Sequence, residues 1–196
     1  MGALEALLRL DAAARGWLTS HHAPVLDAAM MALSVIGRGG AVWIMLAAVA
    51  VARDRRHMRA AARVVLIILL THAAVDGVLK PAFARARPFT AIAGVRVLGS
   101  PPATYSFPSG HAATAFGGAV GLMAIWPRQL WLLGLALAIA LSRIYVGVHY
   151  RLDVLIGGAV GGSIGWAVVR WLPVSAGAHG RSAARGGRPA GDAHRS

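Results

Sequence analysis

The sequence predicts an all-α fold, a polytopic membrane bundle of about six transmembrane helices. Hydrophobic residues make up 57% of the chain and charged residues only 14%, whereas a soluble domain carries about 25% charged residues. The mean hydropathy is +0.62, and long apolar runs alternate with short polar connections. The 196 residues suit one such bundle and are too few for several domains.

The apolar runs locate the helices. A transmembrane helix needs about 20 largely apolar residues. The candidate spans are 23–36, 39–52, 60–79, 110–126, 129–147 and 152–172. The first two are short and the first contains Asp27, so the sequence leaves open whether residues 1–36 contain a full crossing.

Segments of different composition flank the apolar runs. Residues 1–22 alternate leucines with charged residues, an amphipathic pattern typical of a helix on a membrane surface. Residues 175–196 combine Gly, Ala and Ser with several arginines and cannot build a core. The chain therefore divides into an amphipathic N-terminal segment at 1–22, a membrane-embedded domain at 23–174 and a disordered basic C-terminal tail at 175–196.

The net charge of +13 lies in the connections and the tail rather than on one continuous face. Nucleic-acid binding needs a continuous basic surface and is therefore not expected. Loop 53–59 is short and strongly basic, which by the positive-inside rule places it in the cytoplasm. The alternation of spans then puts loop 80–109 and the region around His149 outside and the tail inside, in a multi-pass protein of the inner (plasma) membrane.

Glycines recur at helical spacing in two of the spans. Gly117 and Gly121 lie in one span, and Gly157, Gly161 and Gly165 lie in the last. Small residues at this spacing let helices approach closely within lipid. We expect a compact bundle in which these glycines are packing positions rather than ligands.

A polar cluster lies between the last two spans. His149 precedes Asp153 by four residues, so in a helical conformation the carboxylate accepts a hydrogen bond from the imidazole and fixes its tautomer. Arg143 precedes His149 by six residues and presents five donors suited to a phosphoryl oxyanion. A base, the group that orients it and an anion-binding cation are therefore close in the sequence.

The long loop 80–109 carries two further groups of polar residues. It opens with Lys80 and reaches Arg87-Pro88 after six residues, and it closes with Pro108-Ser109-Gly110-His111 at the start of the next span. The unpaired amides and positive dipole of a helix N-terminus attract anions. The predicted topology brings one set of candidate residues to a single membrane face: Lys80, Arg87, Ser109, Gly110, His111, Arg143, His149 and Asp153.

These blocks resemble the three signature motifs of the type 2 phosphatidic acid phosphatase (PAP2) superfamily. Lys80-x6-Arg87-Pro88, Pro108-Ser109-Gly110-His111 and Ser142-Arg143-x5-His149-x3-Asp153 have the order and spacing of its small bacterial integral-membrane members. All three blocks are intact, and together they form a specific signal. The resemblance implies a PAP2/haloperoxidase-like helical core and a lipid phosphatase activity.

The resemblance also implies a role for each residue. His149 attacks the phosphorus and forms a phosphohistidine, Asp153 orients it, and His111 protonates the leaving group and later activates water. The phosphoryl oxygens are held by the remaining residues, Lys80, Arg87, Ser109, Gly110 and Arg143. No metal and no other cofactor is required. The expected partners are a lipid phosphate substrate and the surrounding membrane lipids.

The motifs do not select the substrate. Undecaprenyl diphosphate, phosphatidylglycerol phosphate, phosphatidic acid and diacylglycerol diphosphate are all candidates, and the first is favoured by family analogy and the outward orientation. Loop 89–106 is expected to set headgroup selectivity. Asp76 lies one helical turn before Lys80 and is expected to position it. The oligomeric state is not readable from the sequence.

Three alternative interpretations remain. His111, His149 and Asp153 are plausible zinc ligands, although the neighbouring cations disfavour a metal ion and the chain has no cysteine. The same residues resemble the vanadate site of haloperoxidases, but this chain is shorter and more apolar than those soluble enzymes. A non-catalytic lipid-phosphate-binding membrane protein is the third alternative, and the intact histidines and aspartate argue against it.

Overall fold

The computed structural model describes residues 22–173. The predictions for the amphipathic segment at 1–22 and for the tail at 175–196 therefore lie outside the described residues, apart from His22. In the described part of the chain the regular structure is entirely helical, which confirms the all-α prediction.

Six main helices form the bundle. They are α1 Pro24–Ile36, α2 Ala41–Arg53, α3 Met58–His72, α4 Gly110–Met123, α5 Trp131–Tyr145 and α6 Arg151–Trp171. Helix α3 continues through the π-helical stretch Ala73–Leu79 into a last turn, Lys80–Phe83, and a short helix, Pro88–Ala91, follows.

The predicted number of six crossings is not confirmed. By length and composition, two helices among residues 22–173 suffice to cross a membrane, Arg55–Ala91 and Arg151–Trp171. A third crossing results if Pro24–Ile36 and Arg38–Arg53 form one span that bends by 49°. Helices α1 and α2 have 13 residues each. Each is therefore about 20 Å long, shorter than the ~30 Å hydrocarbon core.

Contacts along α1 and α2 indicate that they form one broken path through the bundle. Near the start of α1, Asp27 accepts a hydrogen bond from Tyr145 at the end of α5. Three turns later Gly37 packs against Ile139, which is deeper in the same helix. At the start of α2, Gly40 lies against Ile68 of α3. The predicted spans 23–36 and 39–52 are thus present as two helices joined at a bend of 49°.

The glycine positions of α4 and α6 bring these two helices together. A Cβ atom added to Gly161 would collide with the backbone of Ala113, and one added to Gly157 would collide with the carbonyl of Ser109. The close approach predicted from the glycine spacing is thus confirmed at these positions. Because the two helices touch backbone to backbone, their N-terminal ends lie side by side, and these ends carry the candidate site.

Candidate active site

The His149–Asp153 pair lies where α5 turns into α6. Helix α6 begins at Arg151, so His149 and Tyr150 precede the helix and only Arg151–Asp153 of this stretch is helical. The predicted contact still forms, with His149 Nδ1 3.4 Å from Asp153 Oδ2. The turn that replaces the helix is held by Arg143, whose carbonyl accepts hydrogen bonds from the amides of Val148 and His149 at 3.3 and 3.2 Å.

Asp153 is fully buried and is hydrogen-bonded to four residues. Besides His149, its carboxylate accepts from the Tyr150 amide at 2.9 Å, from the Ser106 hydroxyl and from Arg85 Nη1 at 2.6 Å. The Tyr150 bond caps the N-terminus of α6. This carboxylate is therefore fixed in place by its surroundings and has a guanidinium as counter-ion.

His149 is neutral at neutral pH. Its side chain is 3% exposed, and this burial lowers its pKa to about 4, although the hydrogen bond to Asp153 acts in the opposite direction. The neutral ring donates from Nδ1 to the carboxylate, so Nε2 retains its lone pair. Nε2 lies 3.4 Å from Arg87 Nη1. This arrangement is that of an oriented nucleophile.

Arg87 is fixed by backbone carbonyl groups. Its Nε donates to the Thr104 carbonyl at 2.6 Å, its Nη1 to the Val148 carbonyl at 2.9 Å and its Nη2 to the Tyr105 carbonyl at 3.1 Å. The Thr104 hydroxyl accepts a further bond at 3.1 Å. The guanidinium is buried, and its position beside His149 is set before any ligand binds.

Lys80 lies at the end of a polar chain along the π-helical stretch. Its Nζ donates to Asp76 Oδ1 at 2.6 Å, and His72 Nδ1 is 2.8 Å from Asp76 Oδ2. A Cβ atom at Gly110 would lie 3.7 Å from the Lys80 Nζ. The lysine head therefore lies beside the first residue of α4, and the predicted Asp76–Lys80 pair is present.

Ser109 begins α4 and joins it to α6. Its hydroxyl accepts from the Ala112 amide at 3.4 Å, as expected of an N-cap, and its own amide donates to the Asp153 carbonyl at 2.9 Å. Gly110 is the first residue of the helix, so its amide lies among those without intrahelical partners. The helix N-terminus is thus beside both Lys80 and the nucleophile pair.

His111 and Arg143 lie on the other side of the site. They line a cavity of about 330 Å³. Arg143 is buried and donates from Nη1 to the Ser34 hydroxyl of α1. Within residues 22–173, His111 Nε2 and Arg143 Nε are buried without a hydrogen-bond partner.

The structure brings all eight predicted site residues to one end of the bundle. Sequence reasoning missed three residues that hold them there, Arg85, Ser106 and Ser34. Arg85 lies two residues before Arg87, and its guanidinium also packs 3.8 Å from the centre of the Tyr150 ring. Its place in the same short basic run was the only available signal. Ser106 and Ser34 carried no signal, because only tertiary contacts give them a role.

The site is suited to binding and transferring a phosphoryl group. It combines a neutral imidazole nucleophile, three cations and the free amides of a helix N-terminus, all arranged to receive an anion. In the part of the chain that the structure describes, no group of three or more His, Asp or Glu side chains is placed to hold a metal ion.

The chain is similar to known phosphatases. Residues 60–176 match the PAP2 superfamily. The chain is 36% identical over 148 residues to the undecaprenyl-diphosphatase of Sulfolobus acidocaldarius, an alignment that covers 74% of this chain and 70% of the relative. It is 29% identical over 160 residues to the lipid A 4'-phosphatase of Bacteroides thetaiotaomicron, with coverage of 74% and 69%. The crystal structure of Aquifex aeolicus LpxE is similar with a TM-score of 0.66 and 25% identity, covering 82% of this chain and 95% of that one.

Proposed function

Because this chain belongs to the PAP2 superfamily, we propose that it is a metal-independent membrane phosphatase that acts through a phosphohistidine at His149. It removes the terminal phosphate of a lipid phosphate or diphosphate. The favoured substrate is undecaprenyl diphosphate, since the relative from S. acidocaldarius is named for that activity. Phosphatidylglycerol phosphate and phosphatidic acid are the other substrates to test.

The observation that carries this proposal is the state of His149. Its Nδ1 faces the buried carboxylate of Asp153, while its Nε2 faces the fixed guanidinium of Arg87. A neutral imidazole so placed presents a lone pair next to a cation that attracts a phosphate oxygen. A packing histidine has no need of a cation at its unprotonated nitrogen.

In the first step the His149 Nε2 lone pair attacks the terminal phosphorus. An N–P bond forms and the bond from phosphorus to the leaving oxygen breaks, with its electron pair going to that oxygen. His111, whose protonated form is favoured by the bound phosphate anion, donates its proton to the leaving oxygen and becomes neutral. The His149 ring becomes cationic, and its hydrogen bond to Asp153 becomes charge-assisted and therefore stronger.

In the second step water attacks the phosphorus of the phosphohistidine. His111, now neutral, accepts a proton from the water, and the N–P electron pair returns to His149 Nε2. Orthophosphate leaves and both histidines recover their starting states. During both steps, charge on the equatorial oxygens is stabilised by cations and helix-terminal amides. These groups are contributed by Lys80, Arg87, Arg143, Ser109 and Gly110.

We place the site at the outer face of the membrane. The support is the basic loop 53–59, which lies between α2 and α3 at the opposite end of α3 from Lys80. The chain has no cysteine, so single cysteines can report orientation. In intact cells, a membrane-impermeant maleimide should label Ala103→Cys and not Arg59→Cys, and both should react after the membrane is opened. The reverse labelling pattern would place the site inside.

The activity is tested by phosphate release from the detergent-purified protein. We expect release from at least one of the three lipids above in the presence of EDTA, and loss of about 10³-fold or more of this rate in His149→Ala. Protein quenched during turnover of a ³²P-labelled substrate should carry acid-labile, base-stable label that is missing in the variant.

Two controls make this test specific. His57→Ala changes a histidine in the loop between α2 and α3, far from the site, and should retain full activity. Thermal unfolding of His149→Ala should match that of the wild type, so that lost turnover is not lost folding. Release that EDTA abolishes and zinc restores would overturn the metal-free mechanism.

A further inference from the structure

A polar cavity borders the site beside His111 and Arg143. It has a volume of about 330 Å³ and reaches from α4 and α5 to α1 and the loop that covers it. The polar side chains of its lining are Ser34, Arg38, His111 and Arg143, together with Ser100 in the loop. The lining includes neither His149 nor Lys80, so the cavity is separate from the place where the nucleophile lies.

Arg38 enters this cavity from the break between α1 and α2. The break is produced by Gly39 and Gly40, which have φ values of 61° and 77° that favour glycine. It lies at the depth of Ile139 and Ile68, within the apolar part of the bundle. Arg38 is exposed and also lines the cavity, so its guanidinium is accessible to a ligand that enters there. Non-helical backbone is tolerated there when it lines a cavity.

Several groups around the cavity lack a counterpart. His111 Nε2 and Arg143 Nε are buried without a hydrogen-bond partner among the described residues. Arg38 and Arg143 are close enough for their like charges to interact. No acidic side chain lines the cavity in the part of the chain described. An anion would accept a hydrogen bond from Arg143 Nε, and from His111 Nε2 when that ring is protonated, and would offset the repulsion between the two guanidinium groups.

The presence of His111 in the cavity wall indicates which anion fits. Phosphoryl transfer proceeds in line, with the leaving oxygen opposite the attacking atom. His111, the proposed proton donor to that oxygen, lies at the cavity wall. A leaving group that takes its proton from His111 would therefore lie at this cavity.

From these observations we infer that the cavity binds the second phosphate of a lipid diphosphate, the one that stays on the lipid. The inference rests on the proposed function. When the terminal phosphorus bonds to His149, the bridging P–O bond breaks and the bridging oxygen stays with the lipid phosphate, taking its proton from His111. Arg38 neutralises the charge that develops on this leaving phosphate. A monoester substrate has no second phosphate and does not use Arg38.

The test compares a diphosphate with a monoester in Arg38 variants. In Arg38→Gln, kcat/KM for undecaprenyl diphosphate should fall about tenfold or more, as expected when a charge-assisted bond to a ligand is lost. The value for phosphatidic acid should change less than about twofold, because no contact is lost. Arg38→Lys should retain most of the diphosphate activity. Arg59→Gln, which removes an exposed charge at the other end of α3, should change kcat/KM for neither substrate.

A second measurement does not depend on turnover of both lipids. Methylenediphosphonate carries two linked phosphorus groups, whereas orthophosphate carries one. Arg38→Gln should weaken inhibition by methylenediphosphonate about tenfold and leave inhibition by orthophosphate unchanged. Equal effects on both inhibitors, or none on either, would overturn the assignment. Wild-type protein that releases phosphate from no lipid would instead contradict the proposed function, whatever the inhibitors show.

Discussion

The two sides of the site are built differently. On the nucleophile side, which comprises His149, Asp153, Arg85, Arg87 and Ser106, the carboxylate has four hydrogen-bond partners and the Arg87 guanidinium is held by three backbone carbonyls. On the leaving-group side, which comprises His111, Arg143, Ser34 and Arg38, buried nitrogen atoms remain without partners among the described residues.

The difference indicates which side must adapt to a ligand. A fully bonded network cannot change its geometry without losing several hydrogen bonds, so the nucleophile side is fixed in advance. Unpaired buried donors are costly until an acceptor arrives, so the leaving-group side gains most when the substrate binds. Substitutions on the nucleophile side should therefore reduce the rate for every substrate, whereas those at Arg38 should depend on the substrate.

Asp153→Asn should have the largest effect. The single oxygen of the amide cannot accept from all four donors, one of which is His149 Nδ1, so the imidazole loses its fixed tautomer. We expect kcat to fall about 10³-fold or more for diphosphate and monoester alike, by analogy with other histidines oriented by a carboxylate. Phosphate-release assays on both lipids measure this. A loss confined to one substrate would show that Asp153 is not part of a shared nucleophile side.

Arg85→Ala should have the next largest effect. Arg85 is a positioning residue, because its Nη1 holds the Asp153 oxygen that does not face His149. Without this cation the carboxylate charge acts more fully on His149, which favours the protonated ring, so the His149 pKa should rise from about 4. A protonated ring cannot attack, and the acid limb of kcat/KM should move to higher pH. We expect kcat to fall about ten- to a hundredfold.

The pH profile separates this role from a merely structural one. Because substrate ionisation is the same for both proteins, the ratio of variant to wild-type kcat/KM across pH reports the enzyme alone. ¹⁵N-histidine NMR of the ligand-free protein gives the His149 titration directly. Arg85→Lys should restore part of the rate and of the wild-type profile. An activity loss with an unchanged profile would contradict the coupling to His149.

The sequence predicted the contacts between residues close in the chain better than the long-range contacts, for a physical reason. His149 and Asp153 are four residues apart, so local geometry suffices to bring them together even though His149 precedes the first residue of α6. The residues that fix and extend the site act over long separations. Arg85 meets Asp153 across 68 residues, Ser106 across 47, and Arg143 meets Ser34 across 109. The spacing of residues along the chain does not predict pairs with such long separations.

The fold shows the same distinction. Apolar runs and glycine spacing predicted the helices and the α4–α6 contact, because both depend on local periodicity. The number of crossings was not predictable in this way. Two short helices separated by Gly39 and Gly40 have the composition of two spans, and only their contacts with α5 and α3 indicate one broken path. The cavity at that break could not be predicted from the sequence either, because it too is formed by tertiary contacts.

Asp76→Asn should have the smallest effect, because it acts on one cation at the edge of the nucleophile side. The Asp76 side chain is 42% exposed, so solvent or lipid headgroups replace part of the interaction that Lys80 loses. Lys80 would lose the partner that holds its Nζ beside Gly110, which should raise KM about three- to tenfold with a smaller change in kcat. His72→Gln leaves the Lys80 contact in place and should be near wild type. If His72→Gln raised KM as much as Asp76→Asn does, the effect of both substitutions would come from a destabilised π-helical stretch rather than from the loss of the Asp76–Lys80 contact.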